Sequence, residues 1–100
     1  MYESLYKIII AQDLKTNKIV GSGCLVIELK IHKNCKHAHI EDINMESGHG
    51  KLGQKLVNTL TKLSWHAGCY KCIVGSKQKN TSFFEKCGYE LQGINLIIYN

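Results

Sequence analysis

Six residues near the middle of the chain, Gly48-His-Gly-Lys-Leu-Gly53, have the make-up of a phosphate cradle. Glycines let a backbone come close to a ligand, and the first N–H groups of a helix point outward with the positive end of its dipole behind them. A strand before this loop and a lysine-bearing helix after it would form an anion site suited to a phosphate or pyrophosphate. Gly48 and Gly53 are separated as in a Walker A loop, but Gln54-Lys55 follow where Lys and Ser or Thr are needed, so that pattern fails. G-x-G-x-x-G does fit Gly48, Gly50 and Gly53. The strands expected before it look antiparallel, however, which argues against the parallel start of a dinucleotide fold. A glycine-rich connector that holds no ligand is the competing reading.

Other chemistry-bearing residues read as structural. His32, Cys35, His37 and His39 offer soft and imidazole ligands, yet their spacing matches no closed zinc pattern and they straddle a loop and a strand end, so no metal is expected. Cys69-x-x-Cys72 looks like a redox or zinc knuckle, but three positions apart on a strand the thiols face opposite ways. Cys87 has no His–carboxylate pattern pointing to it, and Trp65 reads as a partly buried packing residue. Asn80-Thr-Ser82 is formally a glycosylation triplet, but these residues also favour helix starts, so a cap is expected there. Lys30, Lys33 and Lys36 form a basic loop without the interleaved aromatics of a nucleic-acid surface.

The elements that must position these residues follow from periodicity. Residues 6–12 and 19–29 read as strands of a hairpin around a polar turn, and residues 38–45 as a third strand. Gly21 and Gly23 inside the second strand suggest a bulge or a close backbone approach. After residue 50 the apolar period switches to about 3.6, with Leu52, Leu56, Leu60 and Leu63 in a stripe that Val57 broadens. Gly68 is a plausible left-handed end to that helix. A short strand over 69–74, a second helix from Gln78 to Cys87 closed by Gly88, and a last strand over 89–99 complete the order β-β-β-α-β-α-β. This is a mixed α/β sheet in one domain, residues 1–100.

Composition sets the outer bounds. A chain of 100 residues, 44% hydrophobic and 21% charged, is a folded globular chain rather than a disordered tail. No apolar run approaches the roughly 20 residues that cross a bilayer, and the start lacks the pattern of a secretory signal, so neither membrane insertion nor export is expected and the cytosol is the default. Five cysteines without an export signal read as reduced thiols. The net charge of +5 favours anionic partners, and all thirteen cations are lysines. With no arginine fork available, only lysine point charges and backbone amides can hold a phosphate.

His39-Ile-Glu-Asp42, the glycine-rich turn, Cys69-Tyr-Lys71 and Asn80-Thr-Ser-Phe-Phe-Glu-Lys-Cys-Gly-Tyr89 together resemble glucosamine 6-phosphate N-acetyltransferase, an acetyl-CoA-dependent branch of the GNAT superfamily. Lys18-Ile-Val-Gly-Ser-Gly23 and His32-Lys-Asn-Cys35 extend the match over nearly the whole chain. The resemblance implies a GNAT-like fold, a bent sheet whose parted central strands admit a pantetheine arm. It puts the pyrophosphate of acetyl-CoA on Gly48, His49, Gly50, Lys51, Leu52 and Gly53, with Gly75 and Asn80 further along the same ligand. It gives Ile43, Asn44 and Met45 the backbone N–H groups that meet pantetheine and the thioester carbonyl, as an oxyanion hole does. Glu41 and Asp42 match the acidic pair that holds the amino sugar, and Tyr70 and Lys71 a second acceptor-side pair. The implied reaction is direct attack of a neutral amine on the thioester, in the pathway to UDP-N-acetylglucosamine, by a homodimer that shares acceptor sites partly through Leu96-Ile-Ile-Tyr99.

The chain also departs from that pattern. Gly48 stands where the turn of the family begins with a basic residue, and Gly75 where it has an acidic or polar one. Phe84 occupies the place of the tyrosine that protonates the departing thiolate. A strand and helices that precede the position of Met1 in the family, and cover the acceptor, are expected to be lacking. Two alternatives to turnover follow: an inactive fold that binds CoA or a partner, and a basic binding module with no CoA site.

Overall fold

A computed structural model describes residues 4–30, 35–76, 80–93 and 96–100. The elements are β1 (Ser4–Asp13), β2 (Lys18–Lys30), β3 (Cys35–Met45), α1 (Gly50–His66), β4 (Lys71–Val74) and α2 (Thr81–Lys86). The sheet order is β1-β2-β3-β4, with the first two pairings antiparallel and the last parallel. The β1–β2 turn closes on itself: the Asn17 N–H donates to Asp13 O at 2.7 Å and the Lys15 N–H to the Asp13 carboxylate at 2.9 Å. Asn17 takes a positive φ of 59°, which a short amide side chain tolerates.

The core lies between one face of the sheet and α1. Leu25, Ile27, Ala38 and Ile40 supply the sheet side, and Leu56, Val57 and Leu60 the helix side, joined by Cys69 and Phe84. The expected helical stripe is therefore present, centred on Gly53, Leu56, Val57, Leu60 and Ser64, with Leu52 and Leu63 half-buried at its margins. Trp65 lies off that stripe and is half exposed. On β1 the opposite sheet face is apolar too, for Tyr6, Ile8 and Ile10 are all exposed.

Both helices end in the same way. Gly68 has φ +82°, its N–H donates to Trp65 O, and the Cys69 N–H donates to Ser64 O, the pair of bonds of a Schellman motif. Gly88, with φ +96°, repeats it through Glu85 O and the Tyr89 N–H to Phe84 O. The first motif corrects the expected strand over 69–74. The backbone N–H of Cys69 is committed to the helix cap; the Tyr70 N–H donates to Lys36 O of β3 at 2.8 Å, and the strand register starts at His37↔Lys71. Lys36 of the basic loop serves the same helix end, donating its ammonium to Ala67 O at 3.2 Å, while Lys30 pairs with Glu28. Lys33 and His32 lie outside the described residues, as do Gln78 and the start expected for the second helix.

The last expected strand does not form among the described residues. Residues 89–93 and 96–100 have no strand conformation, and Leu96 and Ile98 are 94% and 96% exposed. Strand propensity measures packing against neighbours, and nothing in the described chain packs against these side chains.

Candidate functional site

A parting of two strands creates the site. β3 and β4 pair from His37↔Lys71 to Ile40↔Val74, and there β4 ends. β3 continues from Glu41 to Met45 held by β2 alone, so its other edge has no strand partner among the described residues. Just past the fork, Gly23 on β2 stands against both Asp42 and Ile43 on β3, which is a β-bulge. Asp42 takes the extra residue's left-handed conformation, φ +54°, in a region that aspartate tolerates better than most side chains. Gly23 is needed there: an added Cβ would lie 2.7 Å from Ile43 Cδ1 and 2.8 Å from Leu60 Cδ1. Gly21 is equally confined, for its Cβ would meet Met45 Sδ and, at 2.9 Å, the carbonyl of Asn44. The close approach expected at both glycines is thus present.

Beyond the fork lies a groove of about 1030 Å³, walled by the free edge of β3, the 46–50 turn, the end of β4 and α2. The turn carries Gly48 at φ +88°, and the α1 helix opens on its floor. His49 is the N-cap residue, but its side chain makes no capping bond and the first turn holds no acidic residue. The first intrahelical donor of this end is the Gly53 N–H, bonded to His49 O at 2.9 Å. The N–H groups of Gly50, Lys51 and Leu52 are consequently the unpaired first-turn donors, with the helix dipole behind them.

Most of the residues singled out by sequence meet here. Glu41, Asp42, Ile43, Met45, Gly48, His49, Gly50, Gly53, Gly75, Asn80 and Phe84 line the groove. Asn44, Lys51, Leu52, Tyr70 and Lys71 do not. The Asn44 side chain turns back to Asp42 O at 3.2 Å, and Tyr70 stands 75% exposed with its ring 6.1 Å from that of His37. The groove adds His39, Glu46, Ser47, Ile73 and Phe83, which the sequence reading had not placed in a site. For His39 and Ile73 the signal was the strand period: they are lateral neighbours on β3 and β4. Asn80 is the N-cap of α2 as expected, but its side chain makes no cap hydrogen bond, which leaves it to face the groove.

Phe84 has a double position. It lines the groove yet is only 8% exposed, packed edge-to-face against Phe83 at 5.2 Å and Tyr89 at 6.3 Å. It carries no proton to give. Burial pushes the thiols of Cys24, Cys69 and Cys87 up, and for Cys24 the carboxylates of Asp42 and Glu41 add to it, so these sulfurs stay protonated and are poor nucleophiles. All five cysteines are free. Cys35 Sγ lies 3.6 Å from His37 Nε2, and no group of three possible metal ligands occurs among the described residues. Nor is any described helix long and apolar enough to cross a membrane.

Comparison with known proteins agrees with this geometry. The acetyltransferase (GNAT) family matches residues 2–89. Glucosamine 6-phosphate N-acetyltransferase 1 of Dictyostelium discoideum is 41% identical over 97 residues, 94% of this chain and 62% of its own length. The Schizosaccharomyces pombe glucosamine 6-phosphate N-acetyltransferase is 32% identical over 103 residues, covering 98% of this chain and 91% of that protein. The crystal structure of glucosamine-6-phosphate N-acetyltransferase from Arabidopsis thaliana superposes with a TM-score of 0.86 at 32% identity, over 94% of this chain and 66% of that one. The chain thus spans about three-fifths of the length of the Dictyostelium relative and nearly all of the fission-yeast one.

Proposed function

The chain belongs to the acetyltransferase (GNAT) family and groups with its glucosamine 6-phosphate N-acetyltransferases, and from that premise we propose that it transfers the acetyl group of acetyl-CoA to the amine of glucosamine 6-phosphate. The observation that carries this reading is the fork at Ile40↔Val74, which opens directly over the uncapped start of α1. A long, thin ligand with a diphosphate at one end and a thioester at the other fits both features at once.

In this reading the turn of residues 48–53 holds the diphosphate through the N–H groups of Gly50, Lys51 and Leu52, with the Lys51 ammonium as the nearby point charge. Gly75 and Asn80 flank the arm on the β4 and α2 side. The free edge of β3 over residues 43–45 offers pantetheine and the thioester carbonyl the backbone N–H groups that do not pair with β2, that of Met45 among them. Charge that develops on that oxygen is met by donors already in place, an effect on the order of 10²–10³ in rate per donor. Glu41 and Asp42 hold the acceptor's amine, with Tyr70 and Lys71 on the acceptor side. The neutral amine attacks the thioester carbon, the C–S bond breaks, and the sulfur leaves as thiolate. One proton departs from the nitrogen and one must reach the sulfur. Phe84 cannot deliver it, so the thiolate takes its proton from water, and turnover is slow.

A second copy completes the assembly in this reading, bound through the exposed Leu96–Tyr99 stretch, whose side chains find no cover among the described residues. One other reading has specific support. Phe84 and Gly75 line the groove where the resemblance implies a tyrosine and an acidic or polar residue, as in a protein that binds CoA without turnover.

Thiol release from acetyl-CoA in the presence of glucosamine 6-phosphate separates the two. Release above the uncatalysed rate supports transfer, and calorimetric CoA binding without release supports the binding protein. Phe84→Tyr should raise a measurable rate at least tenfold, since a positioned general acid contributes roughly 10²–10⁴. An unchanged rate in that variant would put the defect on the acceptor side.

A further inference from the structure

The net charge of +5 is unevenly placed. α1 carries Lys51, Lys55, Lys62 and His66, and no acidic residue anywhere along its 17 residues. At about 100° per residue these side chains, with Asn58 among them, fall within about 60° of Lys51 around the helix, on the side opposite Leu60 and the core. They are all exposed and form a ridge about 22 Å long. A solvated helix face ordinarily sets carboxylates three or four residues from its lysines, where the two charges pair. Here there are none, and no ion pair among the described residues engages Lys51, Lys55 or Lys62. Thr59 and Thr61 offer the ridge no acceptor either, for their hydroxyls donate back to Lys55 O at 2.7 Å and Val57 O at 2.9 Å. Trp65 stands at the C-terminal end of the same arc, half exposed.

A convex row of unpaired lysines that ends in an exposed indole is complementary to a flat anionic surface. We infer that the α1 ridge docks the protein reversibly on bilayers carrying anionic lipid headgroups, with Lys55 and Lys62 as the charge contacts and Trp65 at headgroup level. Lys51 belongs to the carrier site in the reading above, so the docking surface is counted without it. The ridge suits lipid better than nucleic acid. A lysine ammonium meets a headgroup phosphate or carboxylate from any direction, whereas base recognition uses arginine forks and stacked aromatics. The chain has no arginine, and the ridge has one indole. The apolar face of α1 is spent on the core, so the helix lies on the surface without entering it. The inference does not depend on which molecule enters the groove.

Trp65 is the only tryptophan of the chain and reports on the contact directly. Its emission should shift to the blue, and its quenching by acrylamide should fall, on adding vesicles of phosphatidylcholine with about a third phosphatidylserine. Vesicles of phosphatidylcholine alone should leave both signals unchanged. Raising the salt should release the protein from the anionic vesicles, because exposed charges are screened. In co-sedimentation at low salt, Lys55→Gln and Lys62→Gln should each lower the partition coefficient about 5-fold, and about 25-fold together. Both side chains are exposed, so the melting temperature of the double variant should match wild type and report an intact fold. Equal binding to neutral vesicles, no binding to either kind, or an undiminished double variant overturns the proposal. Tighter binding of duplex DNA than of anionic vesicles, at one salt concentration, overturns it as well and makes the ridge a nucleic-acid contact.

Discussion

The two walls of the groove are built by different means. On one side, β2, β3 and α1 meet through backbone: a bulge at Asp42, glycines pressed against Ile43, Leu60 and Met45, and a helix start left open. On the other, the end of β4 and the short α2 contribute side chains on a thinner support. Gly75 there has open space around it, and the last residues stand exposed. Backbone donors survive most substitutions because any residue supplies an N–H group. A side chain that donates a proton can be lost in a single change. The resemblance puts departures on both walls, at Gly48 on the first and at Gly75 and Phe84 on the second, and in the proposed reading the one that costs a proton donor is on the second.

The comparison is put at most risk by Gly50→Glu. Gly50 is the first helical residue, and a Cβ there meets nothing within 4 Å, so the substitution fits. A carboxylate in the first turn complements the helix dipole and removes a glycine from the helix, adding about 0.3–1 kcal/mol to stability. It would also place a negative charge where the diphosphate binds. CoA affinity should fall about 100-fold while the melting temperature holds or rises, given the size of a short-range charge repulsion near a surface. Titration calorimetry and thermal denaturation on one sample read both. Unchanged CoA affinity would mean that the wall built of backbone is not the carrier site at all.

A paired glycine substitution sharpens the contrast. Gly23→Ala forces a methyl group against Ile43 and Leu60, and overpacking of this kind costs about 1–3 kcal/mol. Gly75→Ala meets nothing within 4 Å and should stay within roughly 0.5 kcal/mol of wild type. Denaturant midpoints measure both. Equal effects would erase the distinction between a wall fixed by packing and one that is not.

How far the sequence announces each wall follows the same division. The helical period of Leu56, Val57 and Leu60, the stop at Gly68 and the close approach at Gly23 are local signals, and each is realised in the fold. The bulge at Asp42 is hidden, because one aspartate in a strand pattern does not announce an extra residue and only the register across Gly23 reveals it. Cys69 reads as strand by composition, yet its N–H is taken by Ser64 O, a helix-cap bond that periodicity does not show. Leu96-Ile-Ile-Tyr99 has every local mark of a strand and lacks a strand partner among the described residues, which no local pattern can report. The groove itself was legible only through the family resemblance, since the strand fork depends on where β4 stops.

The smallest expected effect tests what ties the two walls together. The Tyr89 hydroxyl, just beyond α2, is within hydrogen-bond distance of Thr61 on α1 and donates to Cys72 Sγ on β4 at 3.2 Å. Tyr89→Phe removes these bonds and keeps the ring contact with Phe84, so at neutral pH it should cost about 1 kcal/mol. Burial, followed by the hydrogen bond to Cys72, holds the Tyr89 hydroxyl well above the ordinary tyrosine value near 10. The folded state thus binds this proton more tightly than the unfolded one. Its stabilising contribution is complete below about pH 10 and is lost as pH rises from there toward the folded value. Phenylalanine does not ionise, so the difference between wild type and variant should shrink above pH 10 in denaturant midpoints measured across the alkaline range. A gap that stays constant, or widens, with rising pH would mean the hydroxyl is not held between α1 and β4, and the two walls would then be joined by apolar packing without that hydrogen bond.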